Sequence, residues 1–186
     1  MKLRDCEYRV EKGDLDNGCF LLDKPTKISG QGCGKTTLVG VSLKIQGKKS
    51  DGIVEIQDLT IKGGERHGLY AYYGMKVIMR GCTIEECGEE GVYAEGADIT
   101  CDDLQVVGCG QSGVWADYNA TITLSGHGTS IQGNGTEGYS NSYGLEAYFS
   151  DSSIHLIHPL TKEQISKNNG GGGNWGGKGT IKQIPK

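Results

Sequence analysis

Three things are scarce in this chain of 186 residues: apolar side chains, clustered positive charge and helical periodicity. Apolar residues make up 35% of the sequence, low for a globular protein. No apolar run is long enough to span a bilayer, so direct membrane insertion is not expected. Net charge is −4 and the 19 lysines and arginines are scattered, which leaves no electrostatic footprint for nucleic acid. No stretch places apolar residues at 3.6-residue spacing over ten positions, and glycine, at 32 residues, is too frequent for stable helices. A dense leucine consensus is missing as well, which excludes leucine-rich repeats. Residues 1–6 lack a signal-peptide core. The seven cysteines are an odd number, and several fall at core or turn positions, so a reducing compartment is favoured over a disulfide framework.

What is present is repetition. Gly68-Leu69-Tyr70-Ala71, Gly91-Val92-Tyr93-Ala94, Gly113-Val114-Trp115-Ala116 and Gly144-Leu145-Glu146-Ala147 recur at steps of 23, 22 and 31 residues. A second phrase, Leu59-Thr60-Ile61, Cys82-Thr83-Ile84, Leu104-Gln105-Val106 and Thr129-Ser130-Ile131, keeps nearly the same register. A third run, Val77-Ile78-Met79, Ile99-Thr100-Cys101 and Ile122-Thr123-Leu124, lies between them. Each repeat thus holds three short segments with period-2 alternation separated by turn residues, the pattern of strands. Three strands per turn of about 22 residues describe a parallel β-helix, in which no coil buries its face alone.

On these repeats, with Ile28-Ser29-Gly30-Gln31-Gly32 and Thr37-Leu38-Val39-Gly40 as an opening coil, the chain resembles the pectin-lyase-like, parallel-β-helix-repeat superfamily over residues 20–169. The run from Pro159 to Ser166 followed by Asn168-Asn169 is similar to uncharacterised algal-type β-helix families. The expected fold is an all-β, right-handed parallel β-helix of about six coils. Residues 1–19 would form an N-terminal cap, 20–169 the helix, and 170–186 a Gly-rich, flexible tail. Alternation sends Leu69/Val92/Val114/Leu145, Ala71/Ala94/Ala116/Ala147 and the equivalent rows of the other two sheets inward, and their neighbours outward. Gly64, Cys87, Cys109, Asn134 and Asn168 would stack as a turn ladder.

Several motifs invite chemistry. Gly34-Lys35-Thr36 hints at a phosphate loop, but the required first glycine falls on Ser29, and β-branched strand sequence follows instead of a helix. Asp102-Asp103 and Gly126-His127-Gly128 are similar to the Asp-Asp and Gly-His-Gly of polygalacturonase-type glycosidases, which implies Asp102, Asp103 and His127 as catalytic candidates with Arg80 assisting. The third carboxylate of that pattern is replaced by Arg80-Gly81-Cys82, and the basic substrate clamp by Ser152-Ser153-Ile154. Lys76/Asp98 and Arg80/Asp102 share outer rows and read as surface ion pairs. The histidines show no metal-ligand spacing, so neither a metal nor a cofactor is expected.

The remaining feature is an outward aromatic row, Tyr70, Tyr93 and Trp115, flanked by Tyr72, Glu95, Asp117 and Tyr148. Such a strip suits stacking against sugar rings or anchoring a protein interface. The leading expectation is therefore a non-catalytic scaffold or recognition module for a protein partner or a glycan, able to serve as a subunit of a larger assembly. The alternative is a polysaccharide-acting enzyme: a uronan hydrolase, lyase or epimerase.

Overall fold

A computed structural model of the chain describes residues 1–4, 7–9 and 18–186. Among these, 21 strands form three parallel sheets of seven, each strand pairing with its counterparts one coil before and one coil after. The architecture is a parallel β-solenoid of seven turns, one more than the repeats suggest. The four glycine phrases align residue for residue: Tyr93 pairs with Tyr70 and Trp115, and Ala94 with Ala71 and Ala116.

Period-2 alternation decides what is buried. Leu69, Val92, Val114 and Leu145 are fully buried, as are Val54, Val77, Ile122 and, in the third sheet, Ile61, Ile84, Val106 and Ile131. The core is a single column of such rows. Burying each aliphatic side chain contributes about 1.5–3 kcal/mol, so the column carries most of the stability.

The glycine of the repeated phrase owes its place to space. Gly68, Gly91, Gly113 and Gly144 do not have positive φ. A Cβ at Gly91 would overlap the Val106 Cγ1 methyl and stand 2.7 Å from the Gly113 carbonyl oxygen. One at Gly113 would stand 2.8 Å from both the Asn134 amide nitrogen and the Gly144 carbonyl oxygen. The chain passes so close to the neighbouring core row that only a hydrogen fits.

A turn ladder runs beside this glycine row. The buried Asn134 side chain accepts from the Cys109 N–H at 3.0 Å and donates to the Val106 carbonyl at 3.2 Å and to Asn169 Oδ1 at 3.0 Å. Asn169, not Asn168, is the next rung, because the register pairs Ile131 with Ser166. With its amide consumed, Asn134 is not a glycan acceptor, although Asn134-Gly135-Thr136 has the sequon form.

The Gly-rich C-terminus differs from the expected flexible tail. Gly173–Gly176 and Thr180–Ile184 join two of the sheets as the seventh turn. Trp175 pairs with Leu145 and packs on the end of the core, with the Lys162 ammonium 4.8 Å from its ring centroid. The glycines serve close approach: a Cβ at Gly179 would stand 2.5 Å from the carbonyl oxygens of both Phe149 and Ser152. At the other end, most of the expected cap lies outside the described residues, while Glu7–Arg9 pairs with Thr37–Val39 as an ordinary strand. The strand Thr37–Val39 directly follows the Gly34-Lys35-Thr36 turn, where a phosphate loop would need a helix.

Space at the phrase glycine is directly testable. Gly91→Ala is expected to cost about 1–3 kcal/mol, the range for overpacking a dense interior, read as a lower urea midpoint with an unchanged m-value.

Candidate functional site

The strands Leu69–Tyr72, Val92–Glu95 and Val114–Asp117 carry the aromatic row on their outer face. In-register pairing stacks the rings on one another: Tyr70 on Tyr93 at 4.8 Å and 9°, Tyr93 on Trp115 at 4.7 Å and 18°. Their faces are therefore spent within the ladder. The remaining end faces are covered too, by the Lys44 ammonium 5.8 Å from the Tyr70 ring and by Tyr148 edge-on to Trp115 at 5.7 Å. The strip presents ring edges and hydroxyls outward, not a flat platform for a sugar.

Those hydroxyls converge on carboxylates. Tyr70 donates to Glu95 at 2.5 Å, and Tyr93 lies 3.4 Å from both Glu95 and Asp117. Burial, reinforced by Glu95, raises the pKa of both phenols, which stay protonated as donors. Asp117 was expected to face solvent but is buried, and that burial raises its pKa.

On the opposite margin stands a group the repeat phrases do not advertise. His67, Glu90 and Ser112 each precede the phrase glycine and therefore occupy one row of successive coils. His67 Nδ1 lies 2.8 Å from Glu90 and Nε2 lies 3.2 Å from Glu89, while Arg66 holds Glu89 at 3.3 Å. His67 and Glu90 are buried. Ser112 donates to Glu146, which is likewise buried, although its position in the phrase is an outward one. Burial, aided by the charges of Glu90 and Asp117, pushes the Glu146 carboxyl from its ordinary 4.5 up to about 7. Between the two margins lies a pocket of about 360 Å³ lined by Arg66, His67, Glu89, Glu90, Glu95 and Gln111 over the aromatic floor.

Beyond Glu95 and Asp117 a rim of exposed rings continues the surface. Tyr72 and Tyr148 are each 40% exposed, and Tyr73 and Tyr118 each 47%. Tyr73 and Tyr118 hold φ of 31° and 46°, a conformation that costs a bulky residue of the order of 1 kcal/mol. Both sit in turns immediately after a strand of the phrase sheet. The clue in the sequence was an aromatic residue placed where a turn calls for glycine or asparagine.

The family model for a right-handed β-helix region matches residues 43–173, well over half of the chain. The chain belongs to the right-handed β-helix family. No curated protein and no solved structure matches it. Within this β-helix the glycosidase-like candidates occupy a different corner from the aromatic groove. Asp102 accepts from the Ser125 hydroxyl at 2.8 Å, and Asp103, at φ 52°, accepts from the Gly128 N–H at 2.7 Å. His127 is exposed on that same turn. Arg80 lies opposite Asp102 in the register, yet its ion pair is with Glu55 at 3.6 Å. Asp98 is likewise paired with Lys49 at 2.6 Å, not with the Lys76 expected from the rows. The two aspartates thus hold a turn together, and neither is aimed across a cleft at the other.

Glu146 yields a prediction whose sign follows from linkage. Its folded pKa is raised, so the folded state holds a proton that the unfolded chain releases between pH 4.5 and about 7. Its contribution is present in acid and lost as pH rises through that window, by roughly 3 kcal/mol. Urea unfolding at pH 5 and pH 8 should show this difference shrinking in Glu146→Gln.

Proposed function

We propose that this β-helix is a non-catalytic recognition module that binds a protein partner through a basic segment. The observation that carries the reading is the groove between the phrase strands, where buried and half-buried carboxylates line an aromatic floor and a rim of exposed tyrosines extends it. Tyrosines with few rotatable bonds supply contact area at low entropic cost, and such rings dominate the energetics of many protein interfaces. Glu89, Glu95 and the neighbouring acids favour a lysine or arginine of the partner over a neutral side chain.

The same charges weigh against a polyuronate ligand, whose carboxylates would meet Glu90, Glu95 and Asp117 at close range. A face-stacked sugar is disfavoured as well, since the ring faces are occupied by one another. The enzymatic alternative loses support from the hydrogen bonds that engage Asp102 and Asp103 in the turn.

A fluorescently labelled lysine-rich peptide tests the reading by anisotropy, beside oligogalacturonate and a chitosan oligomer. The peptide is expected to bind, to weaken as salt is raised, and to lose about tenfold affinity in Tyr72→Ala or Glu95→Gln, a difference of about 1.4 kcal/mol. Preferential binding of chitosan would shift the assignment to an amino-sugar glycan. Turnover of oligogalacturonate that disappears in Asp102→Asn would overturn it in favour of an enzyme.

A further inference from the structure

The cluster at His67 has an internal conflict. Glu90, almost completely buried, accepts the Nδ1–H of His67 at 2.8 Å. A neutral imidazole carries one N–H, so Nε2 then presents a lone pair. Glu89 Oε2 lies 3.2 Å from that nitrogen, and an anion beside a lone pair is repelled unless a cation is shared between them. Something positive belongs between the two atoms, either a second proton on the ring or a metal ion.

The geometry suits the ion. Zinc-class metals sit about 2.0–2.2 Å from imidazole nitrogen and carboxylate oxygen. Two ligand atoms 3.2 Å apart then subtend about 100° at the metal, between the octahedral and tetrahedral values, with no movement of either side chain. The buried carboxylate on Nδ1 is the outer partner that fixes the tautomer and orientation of a metal-binding histidine. One ligating atom each from His67, Glu89 and Glu90 lies within 4.8 Å of the others, and Glu90, held at Nδ1, is the outer partner of the set.

A separate observation on the wall of the same groove also points to a ligand. The Trp115 indole Nε1–H is buried and has no acceptor among the described residues. A buried donor of this kind costs about 1–3 kcal/mol when left unpaired.

We propose that His67 and Glu89, with Glu90 orienting the imidazole, form a binding site for one zinc-class divalent ion whose open coordination positions face the groove. Imidazole among the ligands selects zinc, cobalt, nickel or copper over calcium and magnesium. The inference does not rest on the basic-partner reading, since it concerns the chain alone.

Cobalt(II) titration of the full chain tests it, followed by visible absorption, with zinc competition measured by calorimetry. One equivalent is expected to bind, and zinc should move the Nε2 signal of His67 in 15N spectra. Affinity should fall at least tenfold in Glu89→Ala, a half-exposed position that leaves the fold intact, and tenfold or more in Glu90→Gln. Asp102→Asn should bind as the parent does. Absence of stoichiometric binding, or binding indifferent to Glu89→Ala with the His67 signal unmoved, would overturn the proposal and leave the proton as the cation. Peptide anisotropy is read separately, so loss of one activity without the other identifies which inference has failed.

Discussion

Each coil hydrogen-bonds in register to the next, and adjacent parallel strands stand about 4.8 Å apart. Whatever occupies a position is therefore pressed against the residue one coil above and one coil below. Like apolar residues gain from this, and so do aromatic rings, which is why Tyr70, Tyr93 and Trp115 form a stack. Like charges lose. Across most of the surface the rows alternate in sign: Lys62 meets Glu85, Arg66 meets Glu89, and Lys27 and Arg80 both meet Glu55. Against this pattern, the Glu95–Asp117 row sets acid directly over acid in register. Repulsion that a neutral or basic residue would remove has been retained there, beside the aromatic floor.

The same constraint explains what the sequence revealed and what it concealed. The core rows were legible because in-register stacking repeats the chemistry at a near-constant interval. Leu69, Val92, Val114 and Leu145 state their burial four times over. The seventh turn was not legible, because its strand Gly173–Gly176 carries Trp175 where other coils carry Leu or Val, and Gly176 where they carry Glu146, Trp115 and Tyr93. Gly176 and the following Gly177 let the backbone pass close to Tyr143 and Ala147, a property of contacts remote in sequence. The missed rung at Asn169 has a local origin: Ile165 reads as the apolar residue of its row but ends the short helix Lys162–Ile165, so the row passes to Ser166 and the rung falls one place later.

The cluster at His67 hid for a different reason. Metal-type ligands are usually sought a few residues apart, whereas His67 and Glu90 are 23 residues apart and meet because that is one coil. Spacing within the chain was the wrong ruler. The position before each phrase glycine was the right one, and reading it gives His67, Glu90, Ser112 and Tyr143, polar or aromatic at every coil. Glu146 stands at the aromatic position of the fourth phrase. The structure instead shows a buried carboxyl held by Ser112, so the row ends in a group that retains its proton near neutrality.

Taken together, the titrating groups around the groove carry an argument that does not depend on the identity of a ligand. Tyr70, Tyr93, Asp117 and Glu146 all have raised pKa values, with burial as the first cause and neighbouring carboxylates adding to it. Each shift means that the surroundings prefer the neutral, protonated form of the group, because burial disfavours charge and nearby carboxylates disfavour a further negative one. The second cause, unlike the first, favours a cation over an anion. A polyanion entering the same space would face the reverse of each of these interactions. The carboxylates gathered around the groove thus weigh against an anionic ligand, in keeping with the row that sets Asp117 over Glu95.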